Sequence, residues 1–178
     1  AYFYFPKGSD IIEIDPKDYK LSRRKIFEIP ELEYTYFEQE QLILFNHEFK
    51  KYCDKYSFRL PEDWKVGDTL RYLQSFTFDY IKTCEAIKHT VQWRSINLPV
   101  NVNERMFEIL NTGFSYIHGR DHRFRPISIF QPKVYLDLKN NYTNEEWLQA
   151  SVHLTEYIIT NMLISGQQEG WIMIVDMK

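Results

Sequence analysis

A chain of 178 residues, 44% hydrophobic and 17% aromatic, is too rich in core-forming side chains to be disordered, and its formal charge of −3 gives no global pull toward nucleic acid. No apolar run approaches the roughly 20 residues a helical bilayer span needs, and the apolar stretch at residues 171–175 is far too short. The length suits one domain, or a helical lobe followed by part of a second, able to bury roughly 70% of its unfolded surface.

Cys53 and Cys84 are the two cysteines. Each falls in a helix-like pattern where a small apolar thiol packs well, so two reduced residues in a reducing, cytoplasmic setting are expected rather than a disulfide. The sequence begins at Ala1 without a Met or a signal-like segment, and a start and any address it carried are expected to have been removed.

Residues 1–33 read as an irregular leader. It has an aromatic start (Tyr2, Phe3, Tyr4, Phe5), three prolines and a basic cluster of Lys17, Lys20, Arg23, Arg24 and Lys25. The expectation is a segment draped over the domain with a solvated charged face, rather than a membrane or partner patch, and with its aromatics packed away from water. From Phe37 to about Tyr56, Leu42, Phe45, Phe49 and Tyr52 recur at helix spacing, and Leu60-Pro61 closes that element. Asp68 or Thr69 can cap a short helix carrying Leu70 and Leu73, and Asp79 can cap the next, with a stripe of Ile81, Cys84, Ile87 and Val91. A further helix over residues 104–111 starts after Asn103 and stops near Gly113, a plausible C-cap glycine.

The sheet is expected to begin within residues 116–132. There a polar turn with Gly119 and Asp121 leads into Pro126 and the alternating run Ile127-Ser128-Ile129-Phe130. A polar linker at residues 137–141 follows. Thr143 and Glu146 then form a capping box for a long helix whose stripe is Leu148, Val152, Thr155, Ile159 and Met162, running to Gly166. Trp171-Ile172-Met173-Ile174-Val175 reads as a strand, so strand, helix and strand make a parallel crossover, right-handed by default.

Few constellations point to chemistry. His118 and His122 have the i, i+4 spacing of a helical zinc pair, but Gly119 and the turn character argue against a helix there, and no third ligand is near, so no metal is expected. Asp176 ends an apolar strand, where a carboxylate can act as ligand or base in α/β enzymes. With no second acid, nucleophile elbow, glycine-rich phosphate loop or CxxC, neither catalysis nor a cofactor is expected, and Asp176 is expected to cap backbone donors. Arg120, Arg123 and Arg125 form a basic cluster that can meet an anionic surface or headgroup, against the plainer reading of each Arg paired with a carboxylate such as Asp121. The aromatics recur at helix spacing and read as core, not as a nucleic-acid signature.

Four stretches in order resemble the CRAL-TRIO domain, the lipid-binding module of phosphatidylinositol-transfer and tocopherol- or retinal-carrying proteins. They are Asp68-Thr69-Leu70-Arg71-Tyr72-Leu73 with Phe78-Asp79, then Trp93-Arg94, then Asp121-His122-Arg123-Phe124-Arg125-Pro126, and the closing run from Trp171 to Met177. The resemblance covers nearly all of the chain after the leader. It implies an α/β protein, α+β overall, with a leader at 1–33, a helical lobe at 34–112 and, at 113–178, the start of a lipid-binding lobe with a mainly parallel sheet. It further implies a noncatalytic cavity for a lipid or other small hydrophobic ligand, faced by Ser128, Phe130, Tyr157, Trp171 and Met173. Strand alternation places Ser128 with Phe130, and Trp171 with Met173 and Val175, on single faces.

The departures carry expectations too. Phe124 stands where the family usually has Gly, so the turn is expected to adopt another geometry. Gln74 and Phe76 replace basic residues, which counts against a phosphoinositide headgroup site there. Trp171 and Met173 replace small hydroxyl residues and favour a bulkier or less polar ligand. The alternative reading is a protein-interaction or scaffold domain whose cavity has been closed by such large side chains. The family's remaining strands and gate helix would follow Lys178, so the sequence is expected to be a truncated domain whose open strand edge promotes self-association.

Overall fold

Residues 5–30 and 33–178 are described by the computed structural model, with Tyr19 described by its backbone alone. They divide into two compact units, Phe5–Asn97 with Ser165–Gln167, and Leu98–Ile164 with Gln168–Lys178. The fold class is mixed α/β, as expected.

The first unit begins with the leader, which has more structure than its sequence suggests. A four-residue helix α1 (Gly8–Ile11) precedes β1 (Ile12–Glu13), which pairs antiparallel with β2 (Arg23–Arg24). The expected packing of Tyr2, Phe3 and Tyr4 lies outside the described residues. Phe5 is 76% exposed, contrary to the expectation that it packs away from water. The charged face is solvated at Lys17, Lys20, Arg23 and Lys25, but Arg24 is buried. Its guanidinium donates through Nε to Glu38 Oε1 (2.8 Å) and through Nη2 to Glu38 Oε2 (2.6 Å). Both charges are satisfied by a bidentate pair, which is what makes burial tolerable.

Helix α2 (Tyr36–Tyr56) starts at a capping box in which Thr35 accepts from Glu38 N and Glu38 reaches back to Thr35 N. Its expected stripe holds: Leu42, Phe45 and Phe49 are buried, with Tyr52 packed beside them. The helix stops at Ser57, which adopts the left-handed conformation (φ 50°), a few residues ahead of Leu60-Pro61. Helix α3 (Val66–Ser75) is capped at Lys65 rather than at Asp68 or Thr69. Asp68 is three residues into the helix and accepts from Lys65 N, while Thr69 is buried and accepts from Trp64 Nε1. Helix α4 (Tyr80–Asn97) begins after Asp79, whose carboxylate accepts from Lys82 N as expected. Cys84 and Ile87 are buried, but Ile81 is 73% exposed, because the buried face turns through Thr83 instead. Phe27, Tyr34, Leu42, Phe45, Phe49, Leu70, Leu73, Cys84 and Ile87 make one core.

In the second unit, α5 (Glu104–Asn111) matches its expected bounds, with Asn103 accepting from Met106 N at the start and Gly113 at φ 78° just past the end. Residues read as a polar turn form a strand, β3 (Ser115–Arg120), which pairs antiparallel with β4 (Pro126–Phe130). Tyr116, His118 and Arg120 alternate outward along it, so an edge strand with a solvated face was mistaken for turn chemistry. Helix α6 (Pro132–Leu138), also unexpected, starts with a proline at its first position, where the missing N–H costs nothing. Helix α7 (Asn144–Asn161) opens on the expected Thr143–Glu146 capping box. Its buried face is Trp147, Ala150 and Ile158, while Leu148 and Ile159 are exposed, so the expected stripe is displaced by one position. The helix ends at Asn161; Gly166 (φ 71°) lies in the turn beyond. Strand β5 (Ile172–Val175) pairs parallel with β4, giving the sheet order β3-β4-β5 and the expected parallel connection. The core of this unit is Met106, Ile109, Phe114, Trp147 and Ala150, joined by the half-buried Phe130.

Candidate ligand-binding site

The register of the three strands decides which expected residues meet. Ser128 is opposite Met173 and Ile117, and Phe130 is opposite Val175 and Ser115. In-register residues share a face, so Ser128, Phe130 and Met173 project from one side of the sheet, and Ile129 with Ile174 from the other. Along the shared face the environment is graded. Phe130 packs edge-on against Phe114, with ring centroids 6.4 Å apart and planes at 90°. Ser128 is buried and its hydroxyl donates to Ile172 O at 3.4 Å, which leaves it little call on other partners. Met173 is 58% exposed. Trp171 is half-buried and immediately precedes β5, while Tyr157 lies on α7, next to the buried Ile158, and is half-exposed. The sheet thus brings together three of the five expected residues; Tyr157 and Trp171 lie outside its strands.

The turn between β3 and β4 is built on Asp121. Its Oδ1 accepts from the backbone N–H groups of Arg123 (3.0 Å) and Arg125 (2.8 Å), and its Oδ2 from Arg125 Nε (2.9 Å) and Nη2 (2.8 Å). Partial burial pushes the Asp121 carboxyl up, but the Arg125 side chain and the backbone donors prevail and hold it below its ordinary value. Arg120 donates to the carbonyls of Phe124 (2.7 Å) and Met162 (2.8 Å), tying the turn to the end of α7. Arg120 and Arg125 therefore have structural partners, and Arg123 is exposed. The expectation that Phe124 forces another turn geometry is overturned: Phe124 itself adopts the left-handed region at φ 59°. The local hydrogen bonds, among them Phe124 N–H to Asp121 O at 2.9 Å, hold a conformation that an L side chain resists.

Among the described residues no group of three or more His, Cys, Asp or Glu could hold a metal ion, and His118 and His122 are both exposed. Asp176 accepts from Lys178 N at 3.1 Å, the capping role expected of it. Sequence reasoning passed over Trp147. It is buried, and Phe114, Tyr135 and Tyr142 stand edge-on around it with centroids 4.9, 5.2 and 5.3 Å away. Its indole N–H has no nitrogen or oxygen partner among the described residues. Trp147 immediately follows the capping box and is the largest apolar residue of that turn, a signal that the stripe through Leu148 obscured.

Within the second unit, helices and a small mixed sheet with an apolar parallel strand pair make an α/β scaffold. Residues 110–178 match the model of the CRAL/TRIO domain. Domains of this family bind small lipophilic ligands. The stretches at Asp68–Leu73, Phe78-Asp79 and Trp93-Arg94 lie ahead of the matched residues. No curated protein matches the chain. No described helix is long and apolar enough to cross a membrane.

Proposed function

We propose that this protein binds a lipid or other small hydrophobic ligand without catalysing a reaction, in the manner of phosphatidylinositol-transfer-like members of the CRAL/TRIO family. The observation that carries the reading is the β4–β5 pair. Matched to the family over residues 110–178, it sets Ser128 and Phe130 beside Met173 and Val175 on one face and leaves Met173 and Val175 accessible to an apolar partner. Tyr157 and Trp171 complete the proposed contact set. Intermembrane transfer of that ligand is the activity we assign, in the cytoplasm, where free Cys53 and Cys84 stay reduced. Peripheral contact with an anionic membrane falls to the turn carrying Arg120, Arg123 and Arg125. The test is transfer of a fluorescent phospholipid between vesicles. Met173→Asp, at an accessible position where folding tolerates a charge, should cut ligand binding at least about tenfold, since setting a carboxylate against an apolar ligand costs more than about 1.4 kcal/mol. Unchanged transfer in that variant removes Met173 from the site; absence of transfer in the unaltered protein removes the activity.

A second reading, a protein-interaction domain with a closed cavity, draws on one observation: Phe130 is spent on Phe114 instead of facing open space. A third element concerns this chain alone. Among the described residues strand β5 is at one end of the sheet order with Ile174 and Val175 exposed, which supports self-association through that edge. Light scattering that shows only monomer at high concentration contradicts it.

A further inference from the structure

A second binding feature lies within the helical unit, independent of the sheet. After α2 ends at the left-handed Ser57, the chain folds back over the last two turns of the helix. Phe58 N–H donates to Cys53 O (3.0 Å) and Ser57 N–H to Asp54 O (3.5 Å), and the Phe58 ring packs edge-on to Phe49, with centroids 6.3 Å apart and planes at 81°. Between the helix and the returning segment is an open hollow of about 620 Å³, lined by residues 49–50, 53–54 and 57–60.

The lining is divided by chemistry. Phe49, Cys53, Phe58 and Leu60 form an apolar floor that is continuous with the core of the unit. The Cys53 thiol belongs with that floor, since burial, and then the neighbouring Asp54 charge, push its pKa up and keep it neutral. The charged side chains of the lining are Lys50, Arg59 and Asp54, one positive charge in excess. Neither the Lys50 nor the Arg59 side chain has a hydrogen-bond or ion-pair partner among the described residues. On the same helical unit Lys51 is paired with Glu48 and Lys82 with Asp79, so the two lining cations differ from these neighbours. The partial negative charge of a helix C-terminus opposes an anion, but here the Cys53 and Asp54 carbonyls are already engaged by Phe58 and Ser57. The volume falls in the range of small-molecule pockets, and an apolar floor with a few charged groups at the edge is how such pockets orient a ligand.

We infer that this hollow binds a small single-chain amphipathic anion, with its carboxylate or phosphate held by Lys50 and Arg59 and its apolar body laid on Phe49, Phe58 and Leu60. Octanoate is the probe, with octanol and octyltrimethylammonium as controls of equal chain length.

Cys53 reports occupancy. It lines the hollow and is half-exposed, whereas Cys84 is buried with its thiol pushed up to about 11, so maleimide labels Cys53 first. Octanoate should slow that labelling saturably, octanol should do so only at higher concentration, and octyltrimethylammonium should not. The K50A/R59A pair should raise the half-protecting octanoate concentration by about tenfold, the combined loss of two exposed charge contacts, while K50R/R59K retains protection. Both positions are exposed and unpaired, so melting of the double variant should match that of the unaltered protein. No protection by octanoate, equal protection by octanol, or an unchanged half-protecting concentration in K50A/R59A would each overturn the inference.

Discussion

Removing Glu38 tests how the leader is fastened. Arg24 and Glu38 are a salt bridge whose side chains are 1% and 7% exposed. Arg24 also donates to the carbonyls of Ile26 and Glu33, and its guanidinium lies 5.0 Å from the centre of the Tyr34 ring. Gln74 secures the same residue by its backbone: Arg24 N–H donates to Gln74 Oε1 at 2.6 Å, and Gln74 Nε2 donates back to Arg24 O at 2.9 Å. In Glu38→Ala the guanidinium stays buried without its counter-ion, a loss of about 3–5 kcal/mol, against about 0–1 kcal/mol for an exposed pair. Because Glu38 also closes the cap of α2, Thr35→Ala calibrates that part at about 1 kcal/mol. Replacing both charges, in Arg24→Met with Glu38→Leu, should recover much of the loss, since the strain lies in the orphaned charge. Urea unfolding followed by circular dichroism measures all four proteins, with slopes checked for constancy. A Glu38→Ala cost below about 1 kcal/mol, or a double variant no better than the single one, would refute the claim that burial of Arg24 depends on this carboxylate.

Other expected outcomes concern the two units separately. A methyl group on Gly67 would sit 2.7 Å from Phe27 O and 3.0 Å from Phe27 C, so Gly67→Ala should cost about 1–3 kcal/mol where an open helix position would gain about 1, read by thermal melting. Phe124→Gly should raise stability by about 1 kcal/mol by relieving the left-handed strain at φ 59°; a lower stability would mean that the ring contributes more than the strain costs. Asp121, held below its ordinary value, contributes stability that is full above about pH 4 and is lost as pH falls through its lower folded value. Asp121→Asn should therefore show a smaller drop in melting temperature across that acid window, and an identical drop would remove Asp121 as its source.

What the sequence could express was local. Asn103 and Thr143 precede helices with polar side chains at cap positions, and the Leu42, Phe45 and Phe49 spacing is a face that only a helix makes continuous; all of these recur in the structure. Arg24 was read as surface because its counter-ion is 14 residues away and Gln74 is 50 away, distances that periodicity does not span. Gln74 was taken only as a missing basic residue, although its carboxamide is matched to the backbone of the leader. Strand β3 was hidden because a hairpin edge exposes polar side chains and because its pairing shifts register between Ile117 and Gly119. The displaced stripe of α7 has a similar origin: Leu148 and Ile159 are apolar but face outward, and the small Ala150 marks the true contact side. For the candidate site, alternation correctly put Ser128 with Phe130, but whether that face is open or filled by Phe114 depends on long-range packing that no local pattern encodes.

Lipid extraction tests the central claim most directly. The protein is incubated with liposomes of mixed phospholipids, reisolated by gel filtration and examined by native mass spectrometry. The account predicts a species heavier by the mass of one lipid, depleted in Met173→Asp and unaffected by K50A/R59A. Recovery of the ligand-free mass alone, at every liposome concentration, would contradict it.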